Sequence, residues 1–126
     1  MLQAGLNIPG LHHGDPTRTA YEAYPGVAAR ALLGSRAPYK SDSRAKQNSD
    51  QRANRQAILA ALTAPQGQAR FGFRTQAPAQ LAEDPTADAL DALLCAAQAA
   101  WAHRHRPNLS NMDPLEGWIA DPSLFP

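Results

Sequence analysis

Asp88 and Asp91 stand three positions apart in the run Asp88-Ala89-Leu90-Asp91. On a helix this spacing puts both carboxylates on one face, one turn from each other. Two like charges so placed repel. A helix tolerates them near its N-terminus, where the dipole favours anions by about 0.3–1 kcal/mol each. A divalent cation would relieve the repulsion further, and hard oxygen ligands of this kind suit Mg²⁺ or Mn²⁺ rather than zinc. The plain alternative is two solvated acids in the first turns of a helix, where Asp and Glu are enriched.

Glu22 is the second candidate. It lies in an apolar strand-like segment between Ala20-Tyr21 and Ala23-Tyr24. A carboxylate there either points to solvent from an edge or serves as metal ligand or base on the sheet. His12 and His13 are adjacent in a loop and lack a spaced Cys or His partner, which is weak support for a zinc site. His103 and His105 fall where cations favour a helix C-terminus. Cys95 has no basic neighbour in sequence and reads as a packing residue rather than a nucleophile.

The elements that must position these groups follow from punctuation and periodicity. Residues 1–18 read as an irregular N-terminal segment, broken by Pro9, Gly10, Gly14 and Pro16. Residues 19–24 have strand character and end at Pro25. Val27–Leu33 reads as a short helix stopped by Gly34. Ser49 is expected to cap a helix over 50–63, with Ala57, Ile58, Ala61 and Leu62 on one face. Residues 65–82 read as a loop rich in Gln, Ala and Pro around Phe71-Gly72-Phe73. A second strong helix is expected over 84–103. At about 100° per residue, Leu90, Leu93, Leu94, Ala97 and Trp101 share one side, while Asp88, Asp91, Cys95 and Gln98 form a stripe on the other. Glu116–Ala120 reads as a short strand.

The chain has 126 residues and a net charge of +1. That size allows one small domain and a modest core. Charge is unevenly spread: residues 28–55 carry seven Lys/Arg against two acids, and residues 83–126 carry seven acids against two Arg. The basic stretch is either a solvated surface or a phosphate-tracking one, so nucleic acid is a candidate partner. A single cysteine excludes an intrachain disulfide and fits a reducing compartment. The N-terminus lacks the features of a signal peptide, and no apolar run approaches the roughly 20 residues of a membrane span. A soluble cytoplasmic protein is expected.

Several short motifs occur in one order: Tyr21-Glu22-Ala23-Tyr24-Pro25, Ala29-Arg30, Tyr39-Lys40-Ser41-Asp42, Asp88 through Ala96, and Glu116-Gly117-Trp118-Ile119. Together they resemble the bacterial family of predicted RNase H-like nucleases catalogued as domain of unknown function 429. The resemblance runs from about residue 19 to 122. The Asp-x-x-Asp-Ala-Leu element is also similar to the last helix of RuvC-type resolvases. By this resemblance, Glu22 would be the acid of the fourth strand, and Asp88 and Asp91 those of the last helix. These three would hold Mg²⁺ or Mn²⁺ for phosphodiester hydrolysis, and Lys40 and Arg30 would be phosphate or structural partners.

Members of that family are longer, and their opening strands supply a first catalytic Asp that residues 1–18 do not offer. The chain is therefore read as a C-terminal portion of an RNase H-like fold, with 19–126 as a partial domain. An α+β architecture, mostly helical with one or two short strands, is expected. So is marginal stability or self-association through the 19–24 edge. Two functional classes stay open: a metal-dependent nuclease, incomplete or inactive as this chain, and a non-catalytic remnant or interaction module.

Overall fold

The computed structural model describes residues 2–113 and 115–125. The fold is α+β and mostly helical, as expected. Among the described residues there are two strands, β1 (Leu6–Asn7) and β2 (Asp15–Thr19), and four α-helices, α1 (Pro25–Leu33), α2 (Ser49–Thr63), α3 (Pro65–Phe71) and α4 (Asp88–His105).

The helices form where their caps allow. Pro25 opens α1 and Gly34 closes it in the left-handed conformation at φ 71°. The cap of α2 falls one residue before the expected Ser49: the Asn48 side chain accepts from the Gln51 amide at 2.9 Å. In α4 the start moves four residues, from Asp84 to Asp88. Asp84 instead closes a tight turn, accepting from the Thr86 amide at 2.9 Å and the Thr86 hydroxyl at 2.7 Å. Ala87 then sits at φ 60°, so the helix begins only after it.

The stretch 65–82 is not a loop throughout. Its first part is α3, with Pro65 in the first turn and Gly72 as a left-handed stop. Its short length hides the apolar period, and only Phe71 of its side chains is fully buried. Gly67 is required, because a methyl group there would overlap the Leu62 carbonyl.

The strand expected at 19–24 is displaced. The ladder forms earlier, between β1 and β2, as an irregular parallel pair. Residues 20–24 and 117–121 form neither strand nor helix, and Gly117 turns the chain in the left-handed conformation at φ 71°. One hydrogen bond links them, from the Ala120 amide to the Glu22 carbonyl at 2.7 Å. Each segment reads as a strand locally, but a single rung does not make a sheet.

The core lies between α1, α2 and α4. Ala28, Ala29 and Leu32 meet Ile58, Leu59 and Leu62, with Leu90, Leu94 and Trp101 on the third side. Phe71 of α3 plugs one end with no exposure. Complete burial of a side chain this size contributes about 1.5–3 kcal/mol. Tyr24 and Leu115 remain exposed. Among the described residues no helix is long and apolar enough to cross a membrane.

Candidate functional site

Asp91 is the meeting point of α4 and the segment that precedes α2. Its Oδ1 accepts from the Tyr39 hydroxyl at 2.8 Å, and its Oδ2 accepts from the Lys40 ammonium. The backbone of residues 38–41 is clamped so that both donors arrive. Arg55 of α2 is buried and donates to the carbonyls of Tyr39 at 2.9 Å and Ala82 at 2.8 Å. Asn54 donates to the Pro38 carbonyl at 2.7 Å, and the Ser41 amide to that of Pro85 at 3.2 Å. The Asp91 side chain is 14% exposed and that of Lys40 45%.

Titration behaviour follows from this geometry. Burial pushes the Tyr39 phenol far above its ordinary value, and its hydrogen bond to Asp91 pushes it further. Tyr39 is thus a neutral donor near pH 7, not a base. The hydrogen bond to Asp91 raises Lys40, outweighing the opposite effect of its partial burial; Asp42 and Asp88 add smaller favourable fields. Burial raises the Cys95 thiol, with the charge of Asp91 second, which fits a packing role better than a nucleophilic one.

The structure brings Lys40 onto Asp91, two residues singled out from sequence. Asp88 lies one turn before Asp91 and is exposed. Glu22 lies elsewhere: its carboxylate is beside Gly117, 3.5 Å from where a methyl on that glycine would stand. Among the described residues no group of three or more His, Cys, Asp or Glu is arranged to hold a metal ion. Glu22, Asp88 and Asp91 therefore do not form a closed donor set, and both Asp91 oxygens already have partners.

The basic stretch 28–55 is not one uniform surface. Arg55 is 2% exposed and serves the interior. Lys40 is paired with Asp91, and Arg52 with Glu83 at 2.7 Å. Arg30, Arg36, Arg44 and Lys46 stay exposed. The burial of Arg55 had a sequence signal: with Ile58, Leu59 and Leu62 it follows the i, i+3, i+4, i+7 spacing of the buried face.

A second polar cluster went unread in the sequence. Asp121 is fully buried and pairs with Arg70 of α3. Its Oδ2 accepts from Gln98 of α4 at 2.7 Å, and Oδ1 from the Ser123 amide at 3.0 Å. Gln98 also donates to the Tyr24 carbonyl at 3.1 Å. This cluster ties α3, α4 and the entry to α1 to the C-terminal segment. Its carboxylate is satisfied within the chain, so it reads as structural. The signal was Asp121 before Pro122 and Ser123, a cap for a short 3-10 turn.

A mostly helical α+β domain with an acid-bearing last helix, held by a Tyr-Lys pair, is the class that fold and site define. A sequence profile described as protein of unknown function (DUF429) matches residues 10–114. That span is most of the chain, and the chain belongs to this family. No curated protein and no solved structure matches it.

Proposed function

We propose that this chain carries the acidic part of a metal-dependent phosphodiesterase site of the RNase H type, and that alone it cleaves nucleic acid little or not at all. The observation that carries the reading is the placement of Asp91. It stands in the first turn of the last helix, with Asp88 one turn before it and a lysine and a phenol on its oxygens. Membership of the family and the ordered motifs through Glu22, Lys40 and Glu116-Gly117-Trp118 support it.

The present arrangement does not fit a resident Mg²⁺ or Mn²⁺. Glu22 is not grouped with Asp88 and Asp91, and Lys40 takes the position on Asp91 that a cation would need. The reading requires a further carboxylate from outside the described residues and release of Lys40 from Asp91. Misplacement of a reacting group by about 1 Å already costs on the order of a hundred-fold in rate. A Mg²⁺- and Mn²⁺-dependent nuclease assay tests the proposal. Cleavage should be weak or absent, and any that occurs should fall in Asp88→Asn and Asp91→Asn. Robust cleavage indifferent to both substitutions would refute it.

A second reading, a non-catalytic interaction module, draws on the full engagement of Asp91. There Asp91 only anchors residues 39–41 to α4. It predicts that Asp91→Asn lowers stability in the same degree with and without divalent ions.

A further inference from the structure

At the far end of α4 lies a cavity of about 230 Å³ that the carboxylate site does not use. Its polar lining is Asn7, Thr19, Tyr21, His103 and Arg106. Its apolar lining is the Trp118 indole with Leu109 and three prolines. Arg106 is separated from Asp91 by 15 residues, or about 22 Å at the helical rise.

Three observations point to a ligand. First, Arg106 occupies the left-handed backbone region at φ 45°, where non-glycine side chains are strained. Glycine would close this helix end at no steric cost. Second, among the described residues no carboxylate pairs with Arg106. Its charge instead reaches Tyr21, where it partly opposes the effect of burial on the phenol. Third, the other polar groups are already oriented. The Tyr21 hydroxyl lies 3.5 Å from His103 Nδ1, the Asn7 amide donates to Thr19 Oγ1 at 3.3 Å, and the Trp118 indole N–H is held by the Pro9 carbonyl at 2.9 Å. Tyr21 meets Trp118 edge to face, with centroids 6.0 Å apart.

We propose that this cavity binds a phosphate monoester carrying a single ring, with the phosphate on Arg106 and the ring against Trp118 and the proline wall. Two charged or chargeable groups, Arg106 and His103, and three neutral polar ones surround the space. The unpaired guanidinium fork of Arg106 suits the terminal oxygens of a phosphate, and the other four groups, hydrogen-bonded in pairs, can turn to share them. The volume lies below the roughly 300–1,000 Å³ of sites for drug-sized ligands, which limits the ligand to about one ring and its phosphate. Such a group comes either as a free small molecule or as the phosphorylated end of a nucleic-acid strand. The site stands apart from the proposed nuclease reading and survives its failure.

The test is titration of the full chain with phenyl phosphate, thymidine 5′-monophosphate and inorganic phosphate. The readout is the Trp118 indole and His103 ring resonances by NMR, with Trp101 as internal reference. Saturable binding of both esters, tighter than inorganic phosphate by about ten-fold or more, is expected. Arg106→Gly removes the guanidinium while relaxing the backbone, so the fold should hold or gain stability. Binding should fall about ten-fold or more in that variant, and Asp91→Asn should leave it unchanged. A 5′-phosphorylated oligothymidine that binds as well as the monophosphate assigns the site to strand ends; one that does not assigns it to free esters. Absence of saturable binding by every probe, or equal binding by Arg106→Gly, would overturn the proposal.

Discussion

Replacing Lys40 with methionine tests how Asp91 is used. The ammonium is the only cation on the Asp91 carboxylate among the described residues, and Asp88 stands one turn away. The methionine side chain would keep the apolar stem and remove the charge. The ion pair is partly exposed on the lysine side, so the loss should be modest, about 0.2–1 kcal/mol. For a domain of this size that lowers Tm by roughly 1–5 °C. The informative effect comes next. With Lys40 gone, Asp88 and Asp91 repel without relief, and Asp91 Oδ2 is open to a cation. Mn²⁺ at about ten times its dissociation constant would then return roughly 1.4 kcal/mol. Thermal melts of wild type, Lys40→Met and Lys40→Met/Asp91→Asn, each with and without Mn²⁺, measure this. The single variant should be rescued, the double variant should not, and wild type should respond least. If Mn²⁺ moved all three alike, or none, Lys40 would not be standing in for a metal.

Other substitutions probe the surroundings. Tyr39→Phe removes the hydroxyl from a charged acceptor and should cost about 1.5–3 kcal/mol in urea unfolding. The raised phenol of Tyr39 also sets an alkaline limit. Its contribution is full below the ordinary value of 10.0 and is lost as pH climbs from there toward the folded value, so the alkaline transition should weaken in Tyr39→Phe. Asp121→Ala strands Arg70 and Gln98 and should cost about 3–5 kcal/mol, read as loss of the cooperative melt. Gly67→Ala forces α3 away from Leu62 and should cost about 1–3 kcal/mol, visible as a lower Tm.

The sequence was most legible where one element carried its own signals. Pro25 with Gly34 bounded α1, and the apolar stripe of α4 correctly placed Leu90, Leu94, Ala97 and Trp101 inside. Legibility failed where tertiary context decides. The segments at 20–24 and 117–121 have strand composition, but a ladder needs a neighbour the local pattern does not supply. The helix α3 is only seven residues long, too short to show a period. At the candidate site, Asp91 and Lys40 were both singled out, and the structure joins them. Glu22 was assigned by resemblance, and its grouping with the two aspartates is not seen. Composition does not show that the charges of Arg55 and Asp121 are buried; the spacing of Arg55 with Ile58, Leu59 and Leu62, and the place of Asp121 before Pro122 and Ser123, are the local signals.

The cluster around Asp121 also has a consequence in time. Its partners lie 51 residues back at Arg70 and 23 back at Gln98. Through Gln98 it reaches the Tyr24 carbonyl, at the entry to α1. During synthesis α1, α3 and α4 are all made before the carboxylate that joins them. Until residue 121 has left the ribosome, Arg70 and Gln98 wait in a half-built interior without their acceptor. The nascent chain should therefore stay open to proteases and chaperones until residue 121 has emerged, and pack this part of its interior only then.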